Sequence, residues 1–143
     1  MTTIPAEWWP RLHGASTHLP VALVPVAALF EALSVVARRP EWRHRLGSVS
    51  ALLVPLAALG SIVSIVSGLG LSHGEWLGQG LLRTHHLFVW PSFALLIGLA
   101  TWRPLAGPQP SAPAQSAYRI LLGINASLIL AAAYGGGELS LGR

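Results

Sequence analysis

The chain alternates between four long apolar runs and short polar stretches, and that alternation predicts four helices. Residues 15–37 carry a single charge, Glu31, and residues 47–71, 85–102 and 120–137 carry none. At about 1.5 Å of rise per residue, such runs can cross a hydrocarbon core of roughly 30 Å, the third only if it stands nearly upright. The connections differ in character: 38–46 is rich in arginine, 72–84 in glycine, and 103–118 in proline, with Pro104, Pro108, Pro110 and Pro113. The proline-rich stretch reads as an extended loop without a fixed fold. No internal repeat is legible. The pattern therefore predicts an all-α protein, one transmembrane four-helix bundle formed by residues 1–143 as a single domain.

Composition moves the chain out of the soluble class. Of 143 residues, 52% are hydrophobic and only 10% charged, and the mean hydropathy is +0.57, values of an integral membrane protein. The lipid bilayer is thus its first partner. All nine basic residues are arginine, and with five glutamates they give a formal charge of +4. Their distribution reads as membrane topology and not as nucleic-acid binding. Arg38, Arg39, Arg43 and Arg45 fill the first connection and Arg103 and Arg119 flank the third, against Arg83 alone in the second and Arg11 and Arg143 near the ends. Basic connections stay in the cytoplasm, so both termini and the glycine-rich connection are expected on the periplasmic or outer side of a bacterial inner membrane. No basic segment precedes the first apolar run, which is also too long for a cleavable signal, so no processing is expected. The absence of cysteine excludes disulfides, iron–sulfur clusters and covalent haem attachment. Gly60, Ser64 and Gly68, and again Gly123, Ser127, Ala131 and Gly135, form small-residue stripes that let helices approach closely.

The candidate chemistry lies in the histidines. His13, His18, His73, His85 and His86 all fall at the end predicted to face outward, and only His44 lies among the arginines. A b-type haem needs two imidazoles from different helices on opposite faces of the ring. His18 in the first helix and His85 or His86 at the start of the third are the candidates for the axial pair. Neighbouring helical residues point about 100° apart, so only one of His85 and His86 is expected to face the bundle, and His86, one residue deeper, is favoured. Arg11 and Arg83 are candidates for the propionates, because guanidinium suits carboxylate. One haem is expected. A second would call on His13 and His73. A copper or zinc site from His18, His73 and His86 is the competing reading of the same residues. Glu31 is costly in hydrocarbon, and it has either a proton or quinone role or a hydrogen bond to Asn125 at similar depth.

Two motifs carry a family resemblance. His13-Gly-Ala-Ser-Thr-His18-Leu-Pro-Val-Ala-Leu resembles the His-Pro-x3-His-Phe-Pro-Ile-Ala-Leu opening of the membrane proteins called domain of unknown function 2231, with Gly14 where that family usually has proline. Tyr134-Gly-Gly-Gly-Glu-Leu139 is similar to their Gly-Gly-Glu-Leu close. The resemblance implies four transmembrane helices and brings an association with haem and respiratory proteins. The expected function is a b-type cytochrome-like electron carrier, working between quinol or a membrane partner and a periplasmic acceptor. The alternative is a structural subunit anchoring a larger respiratory or photosynthetic complex. Both fit this chain better than a stand-alone enzyme.

Overall fold

The computed structural model describes residues 5–107 and 110–142. It contains four helices and no strand among those residues: α1 (Trp8–Val36), α2 (Pro40–Leu71), α3 (Gly80–Leu105) and α4 (Ala112–Ser140). All four are long and apolar enough to cross a membrane. Each is longer than its apolar run, because a helix does not stop where hydrocarbon stops. Pro20, Pro25, Pro55, Pro91 and Pro104 lie inside helices, whereas Pro40 opens α2 and Pro113 lies in the first turn of α4, positions whose N–H has no helical partner to lose. Consequently the proline-rich connection is shorter than its composition suggests. Only 106–111 remain between α3 and α4, and of these Pro108 and Gln109 lie outside the described residues.

The helices run alternately up and down. Each consecutive pair is in contact and α4 returns to α1, while the diagonal pairs stay apart at the level of the backbone. The closest packing is between α1 and α2, along the stripe of small residues. A Cβ on Gly60 would lie 2.7 Å from the Leu19 side chain, and one on Gly70 would lie 2.5 Å from the Trp9 ring. Between them the Ser64 hydroxyl donates to Ser16 Oγ at 3.1 Å. Glycine and serine here bring two backbones together, which in lipid substitutes for the missing hydrophobic drive. The α4 stripe behaves differently. Gly123 and Ser127 face outward, and only Gly135 is buried.

The middle of the bundle is an apolar plug in which Val24, Val54, Leu96 and Leu122 are fully buried. It separates two polar ends, called here the histidine end and the arginine end. At the arginine end Glu31, 2% exposed, meets Arg119 of α4 at 3.1 Å and Arg103 of α3 at 3.9 Å. Asn125 instead accepts a 2.8 Å hydrogen bond from Ser92. The expected Glu31–Asn125 bond is thus replaced by an ion pair. With α4 starting at Ala112, Arg119 lies two turns inside the helix, at the depth of Glu31, and Asn125 lies well beyond it.

Candidate functional site: a histidine-lined cavity between two hairpins

The buried positions of α1 include Ser16, Pro20, Val24, Ala27 and Glu31, a stripe at spacings of three and four residues. His13 continues that stripe toward the N-terminus. His18 does not: it stands two residues from Ser16, about 200° round the helix, and is exposed. The first helix therefore offers His13 to the interior, and the expected His18–His86 pair is not brought together.

His13 is held by α2. Its Nδ1 is 3.0 Å from the Ser64 carbonyl oxygen and 3.4 Å from Ser67 Oγ. The ring lies against Gly68, where a Cβ would come within 3.0 Å of Cε1. The reason is local. A helical carbonyl already accepts the N–H four residues on, and a side chain at that residue would block a second donor from the flank. Gly68 has none, so the imidazole donates to Ser64 O from the side.

The second hairpin repeats the device. His85 Nδ1 is 2.8 Å from the carbonyl oxygen of Ala132, and Gly136, four residues on, would place a Cβ 3.2 Å from His85 Cε1. In both hairpins a histidine of the leading helix donates its Nδ1–H to a carbonyl of the following helix, beside a glycine. That bond sets the tautomer and leaves Nε2 with its lone pair. Neither Nε2 has a hydrogen-bond partner among the described residues.

Both rings line one cavity of about 380 Å³ at the histidine end, bounded by all four helices. His86 lines it too, although sequence geometry admitted only one of the adjacent pair. The cavity spans the α3 surface from its α4 seam to the bundle interior, so residues 100° apart both reach it. The His85 and His86 rings are 5.7 Å apart between centroids. His86 is 7% exposed, and its Nδ1 is buried without a partner. Leu96, Phe93 and Ile129 make the cavity apolar below, and Ser92 reaches it from α3.

The α2–α3 connection folds against this site. Trp76 stacks on Trp90 with ring centroids 5.1 Å apart, and Trp90 Nε1 donates to the Trp76 carbonyl at 2.7 Å. Trp90 in turn lines the cavity next to His86. Gly74, Gly78 and Gly80 all have positive φ, which glycine adopts without the Cβ clash. His73, at φ 54°, shares that connection and is exposed. It does not line the cavity, so the pair with His13 that a second haem would call on is not brought together. Among the described residues no three His, Cys, Asp or Glu side chains are grouped closely enough to hold one metal ion. The copper or zinc trio of His18, His73 and His86 is thereby not assembled. Arg11 and Arg83 are exposed at the histidine end, Arg11 against the Trp8 ring, and neither lines the cavity.

Fold and site together define a four-helix membrane protein with a histidine-lined, largely apolar cavity near one surface. The chain belongs to a family described as predicted membrane protein (DUF2231), whose match covers residues 10–142. No curated protein and no solved structure gave a significant match.

Proposed function

We propose that the protein is a membrane-embedded electron carrier of the b-type cytochrome kind, with one haem b in the histidine-end cavity that His13 and His85 would hold. The observation that carries this reading is the matched pair of Nδ1-to-carbonyl hydrogen bonds. Histidines that ligate metals characteristically donate their other ring N–H to a carbonyl or carboxylate, which fixes the ring and raises the basicity of the ligating nitrogen. His13 and His85 both do this, from opposite hairpins and into one cavity. His86 does not, since its Nδ1 is unpartnered, which favours His85 over its neighbour. The cavity volume falls within the roughly 300–1,000 Å³ usual for cofactor and small-molecule sites. Its open end faces the surface where Arg11 and Arg83 are available to propionates. When bound, the haem would supply a one-electron couple at that surface. The two carbonyls hold the rings in place. A quinol or a periplasmic acceptor, met at the outer face of a bacterial inner membrane, is the partner this placement suits.

The test is the visible spectrum of the detergent-purified protein and its variants. The expected result is a Soret band with a reducible α-band, lost or strongly shifted in His13→Ala and in His85→Ala. It should survive in His18→Ala, whose side chain lies outside the cavity. A protein made with ample haem that shows no Soret band would end this reading and leave that of a structural subunit in a larger respiratory or photosynthetic complex.

A further inference from the structure

The connection between α2 and α3 does more than join two helix ends. Trp90 lies ten residues past Gly80, about 15 Å along the helix, and Trp76 is stacked on it. The connection is therefore folded back along the flank of α3. It is seated on the wall of the cavity: Trp90 and Leu82 both line that space, and a Cβ on Gly78 would lie 2.5 Å from the Leu82 side chain. Of the four neighbouring helix pairs, α2 and α3 touch least, so the connection covers the seam that helix packing closes least.

Little holds it there. No backbone N–H from Trp76 to Gln79 donates to a backbone carbonyl among the described residues, and Trp76 and Leu77 are 65% and 52% exposed. The ties are the Trp76–Trp90 stack and the bond from Trp90 Nε1 to the Trp76 carbonyl. One stack and one hydrogen bond favour the closed position by a ratio of about ten to a hundred, a range in which a segment opens locally while the fold stays intact. The pivots are in place as well. Gly74 and Gly78, at φ 84° and 64°, stand on either side of Trp76, and glycine leaves such a conformation for negative φ without steric cost.

We propose that the connection is a flap, which swings off Trp90 to open the seam between α2 and α3 and admits a flat, bulky occupant to the cavity from the side. That the occupant is haem rests on the electron-carrier reading. A rigid macrocycle cannot thread between helices in van der Waals contact. The α1–α2 seam is closed by its glycine and serine contacts and the α3–α4 seam by the His85–Ala132 bond. Among the described residues no hydrogen bond joins α2 to α3, and their seam is the one with a cover that can move.

The chain contains no cysteine, so Ser61→Cys, at a buried position on the cavity wall, places a single thiol inside. The experiment compares two reagents on this variant in detergent: N-ethylmaleimide, small enough for the mouth of the cavity, and pyrene maleimide, which is flat and polycyclic. Adding Trp76→Ala should speed pyrene labelling about fivefold, the weight of one aromatic stack, and leave N-ethylmaleimide labelling unchanged. Trp90→Phe, which loses the bond to the Trp76 carbonyl, should act in the same direction. Trp8→Ala, at an exposed tryptophan of the same end, should change neither rate. An unaltered pyrene rate in Trp76→Ala would overturn the proposal. Equal acceleration of both reagents would do so too, since the bundle would then have loosened as a whole. If Trp90→Phe does not fold, Trp76→Ala decides alone, because Trp76 lies outside the helices. The rate at which added haemin develops a Soret band should rise by the same factor in Trp76→Ala, with the final spectrum unaltered. Absence of any Soret band would end the haem reading, and the labelling rates would still decide the flap.

Discussion

At the scale of single residues, the site is governed by where glycine stands, because in lipid a missing Cβ is what lets one helix reach the backbone of another. Gly68 and Gly136 each open the flank of a carbonyl to an imidazole, and Gly70 seats the ring of Trp9. Gly98 is different: a Cβ there would meet nothing within 4 Å. These glycines can be separated by thermal unfolding in detergent. Gly70→Ala should destabilise by about 1–3 kcal/mol, the usual cost of overpacking, since the Trp9 ring atoms at 2.5–2.8 Å must move. Gly98→Ala should be neutral or slightly stabilising. Equal melting temperatures for the two variants would show that α1 and α2 are not in this register. The choice of His13 over His18 was legible in the same terms. Glu31 lies eighteen residues after His13, about five turns, so the two share a face, and a polar residue inside a membrane helix has to face the bundle. Counting back from Glu31 identifies His13. The depth of His18 alone does not reveal the direction in which it points.

Among the elements, the ion pair ties one hairpin to the other. α1 and α2 are joined by small residues and α3 and α4 by the Ser92–Asn125 and His85–Ala132 bonds, but α1 meets both α3 and α4 through Glu31. Removing one partner of a buried pair leaves the other charge uncompensated, at about 3–5 kcal/mol. Arg103 and Arg119 are 19% and 25% exposed and can turn toward the headgroups. Glu31→Ala should therefore cost about 3 kcal/mol, near the lower end of that range, read as a lowered unfolding midpoint in detergent. A change under half of that would mean that the pair adds little to the hairpin contact. Sequence could not name the partner of Glu31, because that depends on where α4 begins. The four prolines of 103–118 suggested a loop, whereas Pro113 occupies a first-turn position that a helix accepts. The start moves upstream and carries Arg119 into the membrane beside the carboxylate. Arg103 lies eighteen residues after His85, the same interval as Glu31 after His13, so the leading helix of each hairpin carries its histidine and its charge on one face.

At the scale of the molecule, the number and order of spans follow from hydropathy alone, because in lipid a backbone must satisfy its own hydrogen bonds and an apolar run of this length has no alternative to a helix. The cavity was not legible. Its volume depends on how far the hairpins stand apart, and no single helix encodes that. What the sequence does bear on is orientation. An even number of antiparallel helices brings the described ends of α1 and α4 to the histidine end, with Arg11 and Arg83, and gathers Arg38, Arg39, Arg43, Arg45, Arg103 and Arg119 at the other. Six arginines against two favour the arginine end in the cytoplasm. The chain contains no cysteine, so one introduced thiol reports one position. Gln79→Cys, in the exposed α2–α3 connection, should react with a membrane-impermeant maleimide in intact cells. Ser111→Cys, the exposed N-cap of α4, should react only after the membrane is opened. The reverse pattern would turn the molecule over and bring the histidine cavity to the cytoplasmic face, where a periplasmic acceptor could not reach it. An electron carrier would then have to work with a partner on the other side of the membrane.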